Sequence, residues 1–319
     1  MRVAIIGGTG FVGSYLVDKL IQVGMRPVVL VRPGSETRVR QTDACETVPG
    51  DLSDETALET LLSGADAAIY NVGILRENPG LGVTFDELQR AGAIRAMEVA
   101  EEVGVRRFLL MSANGVDADE TPYQSSKLAA EQFLWKSSLE GTVFRPSVIF
   151  GDPRGRDEFA SALTRDIIGS PLPAPLFFDG LNPSDAGSFA LSPVHVEDVA
   201  TAFVRSLSLP ETIGKTFELG GPETLSWKEI LTRLAAAMDR KKLMLPAPAL
   251  GISAAATLLD RFDFFPITRD QLSMLLQGNV CSDQALRKLG INPKPFAGEH
   301  LAYLKHNNPR LVRCLKNAA

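Results

Sequence analysis

The chain has 319 residues, 45% hydrophobic and 22% charged, with a formal net charge of −5, so it can bury a sizeable core. The acidic balance excludes general nucleic-acid binding, which needs a basic surface. Its three cysteines, Cys45, Cys281 and Cys314, are odd in number and widely spaced, so neither a metal cluster nor a disulfide framework can be built from them. A reducing, cytoplasmic setting is expected. The first apolar run begins at Arg2, which leaves no targeting peptide before it and makes secretion unexpected.

That first run, Arg2–Ile6, drives straight into Gly7-Gly8-Thr9-Gly10-Phe11-Val12-Gly13, and a helical pattern follows through Val23. Strand, glycine turn and helix in this order form a dinucleotide-binding arrangement. Gly7 and Gly8 suit a tight turn, Gly10 admits a pyrophosphate close to the backbone, and Gly13 lets the helix pack on the strand. The phosphates would rest on the free N–H groups of the helix N-terminus.

Strand and helix patterns then alternate, which predicts parallel βαβ units. Strands are expected at Pro27–Val31, Glu46–Val48, Ala65–Tyr70, Arg107–Met111 and Thr142–Arg145. Helices are expected at Phe11–Val23, Asp54–Leu62, Phe85–Val103 and Ser125–Ser137. The fold class is therefore α/β, a Rossmann-type doubly wound parallel sheet, with an NAD(P)-binding domain over 1–150. Beyond Gly151 prolines and glycines gather, densest across Gly169–Pro193. A smaller, mostly helical C-terminal substrate or partner subdomain is expected from 151–190 and 221–319. The stretch 191–220 reads as a return to the sheet, through Leu191–Val194, a helix Val196–Leu207 and a strand Lys215–Leu219. Helices are expected around Trp227–Met238 and Thr268–Leu276. Leu243–Leu259 carries no charge, follows Lys241-Lys242 and contains Pro246, Pro248, Gly251 and Ser253. It is short for a membrane span and is read as a partly buried segment, with a membrane-surface or partner-facing helix as the alternative.

A second signal is Tyr123-Gln-Ser-Ser-Lys127, with Ser112 just past the fifth strand. Tyr123 and Lys127 stand one helical turn apart on one face. An ammonium beside the phenol is expected to lower its pKa, and Tyr123 could then exchange a proton with a substrate oxygen that Ser112 also hydrogen-bonds. At the end of the second strand stands Arg32, not the acid that an NAD site places there. An Arg suits the 2′-phosphate of NADP(H), so NADP(H) is favoured over NAD(H). His195 lacks a sequence-adjacent acid other than Asp198 and is read as a packing or hydrogen-bonding residue.

These motifs, with Arg145-Pro-Ser-Val-Ile-Phe-Gly151, resemble the short-chain dehydrogenase/reductase superfamily, its extended and atypical branches best. Pro193-Val-His-Val-Glu-Asp-Val-Ala200, Phe217-Glu-Leu-Gly-Gly-Pro222 and Thr268-Arg-Asp-Gln-Leu272 resemble the bacterial relatives of the nucleotide-binding accessory subunit of respiratory complex I. The resemblance implies catalytic roles for Ser112, Tyr123 and Lys127, with Lys127 also on the nicotinamide ribose. It places Asp51, beside Leu52, at the adenine, and Asn71-Val72-Gly73 over the adenosine. Pro146 and Ser147 would line the nicotinamide pocket. The superfamily's usual catalytic asparagine has no counterpart, because the helix from Gln89 to Ala100 offers no Asn. Three activities stay open: hydride transfer between NADP(H) and a carbonyl, hydroxyl or quinone-like substrate; sugar-nucleotide epimerisation or dehydration; and a non-catalytic NADPH-binding role in assembly or redox sensing. The apolar Pro171–Phe178 region favours a hydrophobic small molecule. Association with a respiratory complex or the inner face of a membrane is the expected partner class, and oligomeric state is left open.

Overall fold

The computed structural model describes residues 1–39, 43–116, 121–180, 182–249, 269–282 and 284–306. The chain divides into two compact units. The first comprises Met1–Pro146, Val196–Leu219 and Gln284–Asn292; the second comprises Ser147–His195, Gly220–Asp283 and Pro293–Ala319.

The first unit is built on a seven-stranded sheet. Its strands are β1 (Arg2–Ile6), β2 (Arg26–Val31), β3 (Glu46–Pro49), β4 (Ala67–Tyr70), β5 (Arg107–Met111), β6 (Glu140–Pro146) and the closing strand Lys215–Leu219. The spatial order is β3-β2-β1-β4-β5-β6 and then Lys215–Leu219. Every pairing is parallel. β1, β2 and β5 are apolar almost throughout because helices cover both faces of such a sheet. The order reverses between β1 and β4, whose register sets Ile5 against Ile69 and Ile6 against Tyr70. In open α/β sheets the crevice at such a reversal is where ligands bind. Both the glycine turn after β1 and the Asn71-Val72-Gly73 loop after β4 leave the sheet there.

Helices α1 (Phe11–Gln22), α2 (Glu55–Leu62), α3 (Gly92–Glu102) and α4 (Pro122–Lys136) join successive strands, and Val196–Ser206 packs beside α1. α4 starts three residues before the expected Ser125. Thr121 and Gln124 form a capping box, and Pro122 occupies the first turn, where its missing N–H costs nothing. Tyr123 thereby sits in the first turn of the helix. Farther along α4, the carboxylate of Glu131 is only 2% exposed and receives two bonds from Arg145 on β6, Nε at 2.9 Å and Nη2 at 2.5 Å. This bidentate pair fixes α4 against the sheet. Truncating one partner of a buried pair strands the other charge.

In the second unit, among the described residues, three two-stranded sheets accompany the helices. Ile149–Phe150 runs parallel to Val194–His195, Ala190–Leu191 antiparallel to Leu225–Ser226, and Ala174–Phe178 parallel to Met244–Pro248. Leu191 and Val194 therefore belong to strand pairs of this unit, and the chain re-enters the first unit only at Val196. The core centres on Trp227, whose indole N–H donates to the Pro175 carbonyl at 2.9 Å while Phe177 and Phe189 stack on its ring. The helix Trp227–Ala237 opens with a capping box between Ser226 and Glu229. Arg269–Leu276 is helical. Thr268 and positions 250–259 of the uncharged stretch lie outside the described residues. No helix among the described residues is long and apolar enough to cross a membrane.

Replacing Arg145 with Leu is expected to lower unfolding free energy by about 3–5 kcal/mol by leaving Glu131 buried and unpaired. Urea denaturation of Arg145→Leu and of the double variant Arg145→Leu/Glu131→Leu measures it. The double variant should recover most of the loss.

Candidate dinucleotide and active site

The glycine turn is built by close approach. Gly7 has φ +91°, and a Cβ there would meet the Asn71 carbonyl oxygen at 2.6 Å. A Cβ on Gly13 would lie 2.1 Å from the Gly7 carbonyl oxygen, so only glycine lets α1 start this near the end of β1. A Cβ on Gly8 would strike Val29 on β2 at 2.7 Å. Gly10 differs, because its Cβ would meet nothing nearer than the Gly7 oxygen at 3.3 Å. Its outer side is open. As N-cap of α1, Gly10 offers no capping side chain, and the first turn holds no acid. The first N–H groups of the helix are thus left for an anionic ligand, flanked by Thr9, Phe11 and Val12. The turn fits the pyrophosphate of a dinucleotide.

Two further predicted residues meet at neighbouring strand ends. Arg32 follows β2 and is exposed; Asp51 follows β3, which pairs with β2. Hydrogen bonds from the Ser53 hydroxyl (2.6 Å) and Ser53 N–H (2.8 Å) hold the Asp51 carboxyl below its ordinary range, with a smaller contribution from the Arg32 charge. Leu52 is buried, and its carbonyl accepts from Arg95 at 2.6 Å. Asn71 turns its amide to the Gly7 carbonyl at 3.5 Å.

Lys127 and Ser112 lie together at the carboxyl ends of β4 and β5. The Lys127 side chain is buried, and Nζ donates to the carbonyls of Val72 (2.9 Å) and Met111 (3.0 Å). It passes 3.5 Å from where a Gly73 Cβ would stand. Burial pushes its pKa down to about 8. Ser112 donates its N–H to the Phe144 carbonyl on β6 at 2.8 Å, whereas its hydroxyl is buried without a hydrogen-bond partner among the described residues. Tyr123 packs edge-on against Phe85, centroids 5.7 Å apart. Desolvation pushes its phenol up to about 12, opposite to the shift expected from a neighbouring ammonium. The reason is that the two carbonyls, not the phenol, receive the Lys127 hydrogen bonds.

Pro146 ends β6, and its carbonyl accepts from Asn114 at 3.0 Å. Ser147 belongs to the second unit, where its hydroxyl donates to the Asn279 carbonyl at 2.8 Å. His195 packs edge-on against Phe150 and beside His300, at centroid distances of 5.1 and 5.4 Å.

One residue escaped the sequence reading. Gln89 lies in a π-helical stretch, Asp86–Ala91, ahead of α3 and is buried. Its amide N donates to the Ile74 carbonyl at 2.8 Å, and its amide O accepts from the Ser126 hydroxyl at 3.3 Å. It therefore ties the loop after β4, which carries the Val72 acceptor, to the helix turn that carries Lys127. Wide helical turns of this kind recur at functional sites. The signal was legible: Gln89 is the polar member of a stripe completed by Gly92, Ala93, Ala96 and Met97, all buried.

A parallel sheet with a glycine turn at its order reversal, a Ser just past β5, and a Tyr and a Lys in the first two turns of α4 defines a dinucleotide-binding α/β protein of the dehydrogenase and epimerase type. Residues 7–166 match the NAD(P)H-binding family model. The chain is 31% identical over 260 residues to ceramide reductase of Caulobacter vibrioides, spanning 81% of this chain and 77% of that protein. It is 28% identical over 322 residues to the mitochondrial NADH dehydrogenase [ubiquinone] 1 alpha subcomplex subunit 9 of Arabidopsis thaliana, spanning 94% and 76%. Among solved structures it superposes on Thermus thermophilus UDP-glucose 4-epimerase in complex with NAD at a TM-score of 0.71, with 21% identity, covering 96% of this chain and 98% of that one. The chain belongs to the NAD(P)H-binding family of Rossmann-fold short-chain dehydrogenase/reductase proteins.

The buried Lys127 makes stability depend on pH with a definite sign. Its pKa falls from 10.5 in the unfolded chain to about 8 in the fold, so between these values the unfolded state binds more protons. Stability on this account rises as pH climbs from about 8 to 10, and the contribution is absent in Lys127→Met. Urea midpoints of both proteins across that range test it; parallel profiles would refute the assignment.

Proposed function

We propose that the protein is an NADP(H)-dependent oxidoreductase that reduces a carbonyl group on a hydrophobic small molecule. The observation that carries this reading is the Ser112 hydroxyl, buried at the carboxyl end of β5 with no hydrogen-bond partner among the described residues. Buried hydroxyls are almost always satisfied, and one left open at the ligand edge of the sheet is suited to a substrate oxygen.

Gly7, Gly8, Thr9, Gly10, Phe11, Val12 and Gly13 would hold the pyrophosphate, Asp51, Leu52, Asn71, Val72 and Gly73 the adenosine side, and Pro146 and Ser147 the nicotinamide side. Arg32 meets the 2′-phosphate: it has no ion-pair partner among the described residues, and its fork matches a phosphate. Bound NADP(H) supplies or accepts the hydride. Ser112 donates a hydrogen bond to the carbonyl oxygen and orients it. Tyr123 gives its phenolic proton to that oxygen as negative charge develops there. With its pKa near 12, the phenol keeps its proton at neutral pH, which suits it to act as the acid in reduction. Lys127, its charge held by the Val72 and Met111 carbonyls, offsets part of the cost of the phenolate left behind. The ceramide reductase relative supports a lipid-like carbonyl substrate.

A second reading has its own observation. Both hydrogen bonds of Lys127 recorded in the structure go to backbone, and a lysine so engaged also serves a protein that only holds its nucleotide. Likeness to a complex I subunit supports such a holding role in a respiratory assembly.

Tyr123→Phe is expected to lower kcat for NADPH oxidation by long-chain ketones by about 10²–10⁴ while NADPH affinity stays within about threefold. Stopped-flow turnover and fluorescence titration separate the two. Equal turnover in the variant would remove Tyr123 from the acid role, and no turnover in the wild type with any ketone or quinone would replace the enzyme reading by the holding role. Arg32→Ala should weaken NADPH binding by about 10–100-fold and leave NADH binding unchanged, as loss of a charge-assisted contact to the 2′-phosphate requires. Calorimetric titration with both nucleotides reads this directly.

A further inference from the structure

The second unit carries an open groove of about 440 Å³ lined by Ile168, Ser170–Pro173 and Arg240–Leu243. One wall is the proline-bounded turn before the strand Ala174–Phe178; the other is the basic run before the strand Met244–Pro248. The parallel register of these strands, Met244 opposite Ala174, brings the two walls to the same end of their sheet. The bond from Ala174 N–H to the Leu243 carbonyl, 2.8 Å, closes that end. Lys242 spans the groove and donates to the Ser170 carbonyl at 2.5 Å.

Two features coincide on this rim. The first is apolar exposure. Single exposed leucines are ordinary, but Leu172 (69% exposed), Leu243 (65%) and Leu245 (47%) cluster at one end of one small sheet. The second is uncompensated positive charge in an acidic protein. Arg240 and Lys241 form no ion pair among the described residues, and Arg240 adds to partial burial in pushing the Lys242 pKa down. The adjacent acids are already engaged: Asp239 pairs with Lys305 at 2.5 Å and Asp166 with Arg165 at 2.9 Å. Three cations thus ring exposed leucines, and the sequence continues without charge from Leu243 to Leu259.

We propose that this face docks on the surface of a lipid bilayer rich in anionic lipid. The cations meet headgroup phosphates, and Leu172, Leu243 and Leu245 enter the boundary with the acyl chains. Charge complementarity selects this occupant. A second copy of the chain would oppose one basic cluster to another. A nucleic acid would find no aromatic side chain among the groove residues to stack on, and the leucines would stay in water. Basic residues at a bilayer surface and a few buried aliphatic side chains reinforce one another, because neither alone anchors a protein firmly. The inference stands on the second unit alone and is independent of the reaction proposed above.

Flotation of the full chain with vesicles tests it, using phosphatidylcholine alone and phosphatidylcholine mixed with phosphatidylglycerol. The protein should float with the mixed vesicles and stay in solution with the neutral ones. Arg240→Gln/Lys241→Gln should lower partitioning about 25-fold. Leu172→Ser/Leu243→Ser should lower by about tenfold the fraction that resists high salt. All four positions are on the surface, so NADPH titration of each variant should match the wild type and certify its fold. The proposal is overturned if the wild type ignores anionic vesicles or if either double variant floats as the wild type does. It is equally overturned if inorganic phosphate, at constant ionic strength, displaces the protein, because the groove would then be a site for a small anion.

Discussion

The buried ammonium of Lys127 is the constraint around which the first unit is arranged. A lysine taken out of water is tolerated only where polar groups replace the lost hydration, and here the Val72 and Met111 carbonyls do so. Those acceptors belong to the loop after β4 and to the end of β5, so the charge bolts two strand ends to one helix. The rest follows from keeping α4 in place. A capping box sets where the helix begins, Gln89 holds its first half through Ser126, and the Glu131–Arg145 pair holds its second half. The side chains with chemistry, Ser112 and Tyr123, are then positioned by backbone already fixed on three sides.

The same constraint explains why the phenol behaves differently from the expectation drawn from Tyr-x-x-x-Lys spacing. That spacing places two side chains on one face and says nothing about which partner an ammonium prefers. In the fold the backbone carbonyls outcompete the phenol, and desolvation alone sets the Tyr123 pKa. The phenol accordingly keeps its proton at neutral pH, which is the state that the proposed reduction requires. An activated tyrosinate at neutral pH would need the ammonium redirected toward it.

Legibility in the sequence followed the range of the interaction. The glycine turn, the alternation of strands and helices and the Arg32 at the end of β2 are local patterns, and the parallel sheet follows from them with few alternatives. The start of α4 was encoded too, in Thr121-Pro-x-Gln124, but a cap is a weaker signal than an apolar stripe and the expected boundary fell at Ser125. Gln89 was passed over because the sequence reading looked for an asparagine, and residue type was compared where geometry matters. A buried amide anywhere on that turn can bridge Ile74 and Ser126. The strand pairs of the second unit were not legible: two-residue strands such as Ile149–Phe150 and Val194–His195 have no periodicity, and their pairing spans a long stretch of chain. Leu191–Val194 accordingly reads as part of the main sheet in sequence, whereas Leu191 and Val194 belong to two other small sheets in space.

The two units also divide the chemistry of charge. In the first, three buried ions are each compensated: Lys127 by carbonyls, Glu131 by Arg145, and Arg107 by the Glu140 and Ser206 carbonyls with the Thr212 hydroxyl. Such a framework can hold a dianionic phosphate at its glycine turn without competing charges nearby, since no acid stands in the first turn of α1. In the second, Arg240 and Lys241 carry charge at the surface with exposed leucines beside them, an arrangement that gains nothing within the chain itself. Burial of charge demands internal partners, whereas exposed charge beside exposed apolar area gains from a surface that offers both phosphate and hydrocarbon. A reductase acting on a lipid-like carbonyl has a physical use for that second arrangement. Its substrate has negligible concentration in water, so residence at the bilayer raises the encounter rate in a way that no change at Ser112 or Tyr123 can.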